Sequence, residues 1–303
     1  MTAKLQKILH FSKKNLNFAT RISNHLNMKK LKLFTIFAAM IMTLVSCGPK
    51  NAQKALVLYY SQTDNTKLVA DEIAKRLNAD VERIESVNPY DGDFRQTIER
   101  CMKERNEGII PDIQPVKSDI SKYDVIFIGY PVWFGTYAPP VITFLKNTDL
   151  SGKKIVPFCT FGSGGLESSL KDLSKAQPNA VILEGYGVRA ARLDAVPQEI
   201  DQFLKANGFI QGEYVRLGDF TEIKDVTTED AAIFDAAVGD YPMMKNARAE
   251  MVASRAIPNG TEYLFVAADQ PRDPKPDMPP AGKMKVYVTV VNGEAPVFTK
   301  VVR

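Results

Sequence analysis

The sequence predicts a doubly wound α/β domain with a five-stranded parallel sheet, followed by a smaller α+β module, and three observations carry that reading. Short apolar runs of strand length alternate with amphipathic helical stretches over residues 55–208, the pattern of a parallel sheet covered by helices on both faces. Loops rich in turn-forming residues follow the first, third and fourth of those runs, at the end of the sheet where such folds hold ligands. From residue 209 to 303 the pattern changes to one helix and then alternating strands.

The first strand is Ala55-Leu56-Val57-Leu58-Tyr59-Tyr60, apolar throughout, as a strand covered on both faces requires. After the polar run Ser61-Gln62-Thr63-Asp64-Asn65-Thr66, Val69, Ile73 and Leu77 recur four apart with Asp71, Glu72 and Lys75 between them, which predicts an amphipathic helix. Residues 81–84 read as the second strand, 94–103 as a helix, 125–129 as the third strand and 141–146 as a helix. A fourth strand at 155–161, a helix at 166–176, a fifth strand at 180–183 and a closing helix at 196–206 complete the alternation.

In the C-terminal module, Thr227-Thr228-Glu229-Asp230 caps a helix running to Val238, a Ser/Thr start with acidic residues in the first turn. Strands at 251–257 and 262–268 flank the turn residues Pro258-Asn259-Gly260, and Val286, Val288 and Val290 alternate before Asn292-Gly293 turns the chain into a last strand at 296–302. Pro271, Pro274, Pro276, Pro279 and Pro280 interrupt the module with an exposed loop, because proline donates nothing to a ladder. The strand–turn–strand spacing around Asn259-Gly260 resembles the cystatin-like fold, without the inhibitory glutamine motif. That resemblance implies a fold only, and binding of a protein or packing is the expected use of the module.

The formal charge of +4 is an N-terminal property. Eight basic residues and no acidic one lie in residues 1–46; subtracting those eight from 39 leaves 31 basic against 35 acidic, a balance of −4. A mildly acidic remainder has no electrostatic footprint for nucleic acid. Lys29, Lys30 and Lys32 precede the apolar run 33–45, which is short for a membrane span and of the right length for a signal-peptide core. Met28 is the expected initiator, and Leu44-Val45-Ser46-Cys47 resembles the lipobox of bacterial lipoproteins. The resemblance implies that residues 1–46 are removed, that Cys47 is lipidated, and that residues 47–54 tether an exported protein to the cell envelope through lipid alone. Both histidines, His10 and His25, fall in the removed segment, so Ser-His-Asp and Cys-His mechanisms are disfavoured, as are most zinc sites. Besides Cys47 only Cys101 and Cys159 remain, too few for a disulfide scaffold.

The three loops carry the chemistry. Ser61, Gln62, Thr63, Asp64, Asn65 and Thr66 stand where a helix begins, and unsatisfied amides with the positive end of the helix dipole suit a phosphate there. Taken alone, such a run equally reads as an N-cap. The second loop, Pro131-Val132-Trp133-Phe134-Gly135-Thr136, holds the single tryptophan of the chain, and alone it also reads as aromatic cover for a core. The third, Thr160-Phe161-Gly162-Ser163-Gly164-Gly165, is glycine-rich, which permits close backbone approach.

In order and chemistry the three loops resemble those of flavodoxins, and Tyr130-Pro131-Val132-Trp133 is most similar to the small flavodoxin-like proteins of the flavodoxin_4 type. The first loop fits the flavodoxin pattern T/S-x-T-G-x-T except at Asp64, where the family mostly has glycine, and a carboxylate there opposes a phosphate. The resemblance implies a flavodoxin-like fold and bound FMN, held at its phosphate by the first loop. It also implies stacking by the second loop's aromatic and contact between the third loop and the ring edge. Trp133 against the ring would disfavour the anionic reduced flavin, and Gly135 would let a backbone group move toward N5. The implied function is an electron-transfer protein or small oxidoreductase with an unnamed redox partner. A flavin-free ligand- or protein-binding lipoprotein on the same scaffold is the alternative, motivated by Asp64 and by export before folding; a quinone or nitro-compound reductase is a third reading.

Overall fold

The computed structural model describes residues 53–239, 241–269 and 282–303. The expected export segment, Cys47 with most of its tether, and the prolines from Pro271 to Pro280 lie outside the described residues.

Five strand positions form a parallel sheet. β1 (Ala55–Tyr59) lies between β2 (Asp80–Arg83) and β3 (Val125–Trp133). β4 (Thr136–Tyr137) folds back on β3, β5 (Lys154–Phe161) pairs with the other edge of β3, and β6 (Val181–Ile182) and β7 (Tyr186–Arg189) share the edge beyond β5. The order β2-β1-β3-β5-β6 is that of a flavodoxin-like fold, with the reversal of direction between β1 and β3.

Side-chain alternation assigns the helices to two layers. Leu56, Leu58, Ile126 and Ile128 face one core with Cys101 of α2 (Phe94–Glu107), Val141 and Phe144 of α3 (Pro139–Asn147) and Leu173 of α4 (Leu166–Ala176). Val57, Tyr59, Val125, Phe127 and Phe158 face the other, with Val69 and Ile73 of α1 (Asn65–Leu77) and Ile200 and Leu204 of α5 (Val196–Ala206). Because both faces of β1, β3 and most of β5 are buried, these central strands read as largely apolar runs, whereas the edge strand β2, Asp80-Val81-Glu82-Arg83, is partly exposed and carries charge.

Two expectations are corrected. The third strand does not stop at Gly129: it stays in register with β5 through Pro131↔Thr160 and then forms a hairpin with β4, Trp133 opposite Thr136. The two turn residues, Phe134 and Gly135, have φ of 51° and 82°, the paired left-handed geometry whose twist suits a tight hairpin. The fifth strand is two pieces, with Ile155↔Ile182 in one and Phe158↔Tyr186 in the other. Pro157 lies opposite the break, its carbonyl facing Gly185; that edge therefore lacks the N–H a continuous ladder would use.

The C-terminal sheet is antiparallel, in the order β12-β11-β10-β9-β8. It comprises β8 (Lys224–Asp225), β9 (Ala247–Ile257), β10 (Gly260–Asp269), β11 (Lys283–Val291) and β12 (Val297–Val302). α6 (Thr228–Val238) begins at Thr227, whose hydroxyl accepts from the Asp230 amide while the Asp230 carboxylate accepts from Thr227 N–H, a reciprocal cap. Phe234 and Val238 of this helix pack on Phe265, Val286, Val288 and Phe298 of the sheet. Among the described residues no helix is long and apolar enough to cross a membrane.

Candidate functional site

The three loops meet at the carboxyl ends of β1, β3 and β5, and four contacts tie them together. Tyr60 N–H donates to Gly129 O at 2.9 Å, joining the first strand end to the third. The buried hydroxyls of Thr66 and Thr160 lie 2.8 Å apart and join the first loop to the last. Ser168 of α4 donates to Gly135 O at 2.5 Å, joining the last loop to the second. Gly165, with φ of 118°, lets Val132 come so close that a Cβ on Gly165 would stand 2.5 Å from Val132 Cγ1.

In the first loop Asp64 adopts φ 59°, the left-handed backbone that glycine takes without cost and Asp tolerates. Its side chain makes no cap to α1 and is 64% exposed, so the carboxylate stands outside the turn. Arg83, the last residue of β2, holds it there: Nη1 lies 3.1 Å from Asp64 Oδ1, and Nη2 donates to Ser61 O. The carboxylate that opposed a phosphate in the sequence is thus turned outward and paired with a cation. Ser61 is buried, and its Oγ accepts weakly from Lys67 N–H at 3.4 Å. Gln62 directs its side-chain amide elsewhere, to Tyr90 O at 2.9 Å and Thr97 Oγ1 at 2.8 Å. Thr63 is exposed and Asn65 half-buried.

In the second loop Trp133 is half-buried in an aromatic cluster, its ring 5.2 Å from Tyr90 and 5.9 Å from Tyr60, both near perpendicular. Beneath it Tyr90 donates to Glu104 Oε2 at 2.5 Å, Arg100 Nε donates to Glu104 Oε1 at 2.8 Å, and the Arg100 guanidinium lies over the Tyr90 ring. Burial, then the Glu104 carboxylate, pushes the Tyr90 hydroxyl well above its ordinary range. Phe134 is 48% exposed at the hairpin tip, its left-handed backbone set by the two-residue turn. In the third loop Thr160 and Phe161 are buried, Gly162 is exposed, and Ser163, Gly164 and Gly165 are half-buried.

The groups that lack partners test whether a flavin mononucleotide fits. Among the described residues, the amides of Thr63, Asp64, Asn65 and Thr66 meet no protein acceptor, so four donors at the start of α1 are free for a phosphate ester. Thr136 Oγ1 is buried in the second loop without a partner among the described residues, a position that a ligand acceptor or donor would satisfy. The donor set therefore fits. The two remaining thiols do not add nucleophilic chemistry: burial pushes Cys101 up to about 11 and Cys159 higher still, so both stay protonated. No cluster that could hold a metal ion occurs among the described residues.

The sequence reading missed Arg83, Ser168 and the Tyr90–Glu104–Arg100 network. Arg83 had one usable signal, its place at the carboxyl end of the strand beside β1; Ser168 and Glu104 depend on helix rotation and had none.

Residues 54–200 match a flavodoxin family model, and with the strand order this makes that part of the chain flavodoxin-like. The chain is 31% identical over 116 residues to an uncharacterized protein of Methanocaldococcus jannaschii, a match spanning 38% of this chain and 59% of that relative. Among solved structures, a candidate flavoprotein of Bacteroides eggerthii is 30% identical, with 51% of this chain and 97% of that one covered and a TM-score of 0.46. A flavoprotein of Lactobacillus acidophilus, solved in complex with FMN, is 25% identical, with 45% and 93% covered and a TM-score of 0.41.

Proposed function

We propose that the three loops bind FMN and that the protein is an electron carrier or small oxidoreductase held at the cell envelope by a lipid on Cys47. The observation that supports this most is the row of four amides at the start of α1 that meet no acceptor among the described residues, in a segment that matches a flavodoxin family model. Bound FMN supplies one- or two-electron chemistry. The chain's own part is to hold the phosphate on the amides of residues 63–66, to shield one side of the ring with Trp133 or Phe134, and to meet its polar edge with the third loop.

The test is titration of the purified chain with FMN up to about 1 mM, a ceiling at which even weak binding registers. Quenching of flavin fluorescence and a shift of the visible bands are expected, and Trp133→Ala should change the midpoint potential of the bound flavin. A flat titration would defeat the redox reading and leave the flavin-free binding lipoprotein. Release of the protein from membranes by Cys47→Ala is the companion measurement for the anchor; retention would remove the envelope assignment.

The pairing of Asp64 with Arg83 yields a sharper expectation. Arg83→Gln frees the carboxylate and should weaken FMN about fivefold, the scale of about 1 kcal/mol between partly exposed charges. Riboflavin, which lacks the phosphate, should be unaffected. In the Asp64→Gly background Arg83→Gln should cost FMN nothing, so the two changes are not additive; equal losses in both backgrounds would show that Arg83 acts otherwise.

A further inference from the structure

The parallel and antiparallel sheets meet at a seam that runs along the third loop. Val301, on the free edge of β12, donates its N–H to Ser163 O at 2.7 Å. Arg189, the last residue of β7, forks between the two parts: Nε donates to Gly162 O at 2.8 Å and Nη1 to Phe298 O at 2.7 Å. Its guanidinium also lies 4.2 Å from the centre of the Phe298 ring and 5.1 Å from that of Tyr241. Lys300 Nζ reaches Glu167 Oε1, two residues beyond the loop, at 2.9 Å. Gly164 has no room for a side chain, because a Cβ there would overlap the Val301 carbonyl oxygen.

These contacts fix the direction of two peptide planes. The carbonyl of Gly162 and the N–H of Ser163 belong to one planar peptide unit, as do the carbonyl of Ser163 and the N–H of Gly164, and no described peptide is cis. In a trans unit the carbonyl and the N–H point in opposite directions. With the Gly162 carbonyl drawn to Arg189 and the Ser163 carbonyl to Val301, the Ser163 N–H is turned away from the Arg189 guanidinium and the Gly164 N–H away from the C-terminal sheet. Among the described residues neither amide meets a protein acceptor.

We infer that the C-terminal sheet is a working wall of the cofactor site: through Val301 and Arg189 it orients the Ser163 and Gly164 amides as donors for a carbonyl-bearing heterocycle, with Arg189 as the positioning residue. The inference rests on the FMN reading above and gives the extra module a task inside its own chain. An edge strand normally leaves backbone groups unpaired. Here Val301 N–H is used to set the hydrogen-bonding direction of a loop.

The test is made on the full chain loaded with FMN, comparing wild type with Arg189→Ala and Arg189→Lys. The carbonyl stretches of the bound flavin's pyrimidine ring are read by vibrational spectroscopy, and affinities for FMN and riboflavin are measured side by side. Arg189→Ala should weaken both ligands about tenfold while their affinity ratio stays constant, because the phosphate end is untouched, and should move the carbonyl stretches toward those of free FMN. Arg189→Lys, whose single ammonium lacks the rigid planar fork that reaches Gly162 O and Phe298 O from two separate nitrogens, should fall between. If Arg189→Ala does not fold, Gly164→Ala opens the same seam from the loop side and should give the same spectral shift. Binding by the wild type with unaltered carbonyl bands in the variants would overturn the inference alone. Absence of FMN binding by the wild type would overturn the function proposed above and this inference with it.

Discussion

Gly129→Val is expected to lower the stability of the flavodoxin-like part by about 3 kcal/mol, the upper range for overpacking a closed core. Gly129 pairs directly with Phe158 across β3 and β5. A Cβ on Gly129 would stand 2.1 Å from Phe158 Cζ and 2.3 Å from Cε2, overlapping the ring edge. That ring is fully buried between the sheet and the α1/α5 layer, so it cannot swing aside. Valine's preference for strands offsets only a part of this, since the whole β scale spans about 1 kcal/mol. The measurement is the denaturant midpoint, and a midpoint equal to wild type would show that β3 and β5 can separate locally. A lesser loss with displaced second and third loops would appear as weakened FMN binding instead.

Glu104→Ala is expected to cost about 2 kcal/mol, below the range for breaking a fully buried, hydrogen-bonded charge pair because Arg100 is partly solvated. Glu104 is 9% exposed, and its carboxylate serves Tyr90 and Arg100 at once. Arg100 in turn donates to Pro89 O at 2.7 Å and Asn88 O at 3.0 Å, so Glu104 anchors the segment that carries Tyr90 to α2. Trp133 rests against the Tyr90 ring and is the only tryptophan in the chain. Its emission should therefore move to longer wavelength in the folded variant as water reaches the cluster. Glu104→Gln, which keeps the shape and one acceptor, should lose about half as much stability. An unshifted emission in Glu104→Ala would mean that the indole is held by Tyr60 alone.

What the sequence disclosed and what it withheld follow from the range of the interactions involved. The central strands β1, β3 and β5 were legible because burial on both faces demands apolar runs, and α4 and α5 lie where their periodicity put them. The first loop was legible as a helix start. Its one discordant residue, Asp64, was interpretable only in three dimensions, since its partner Arg83 is supplied by the neighbouring strand and the ion pair depends on the β1–β2 register. The loop after Gly129 was misjudged because the pairing partner that prolongs β3, the end of β5, is about thirty residues distant in the chain. The Arg189 seam was invisible for the same reason on a longer scale: of its two acceptors, Gly162 lies in the loop after β5 and Phe298 in β12 of the other sheet.

The break in the edge beyond β5 has an effect on which side chain faces outward at its far end. Upstream of Pro157 the pairing offset is 27, as in Ile155↔Ile182; downstream it is 28, as in Phe161↔Arg189. An uninterrupted ladder at the first offset would set Val188 opposite Phe161, and a slip by one position reverses every side chain that follows. A single imino acid in mid-strand thus decides that a guanidinium, and not an isopropyl group, greets the neighbouring sheet.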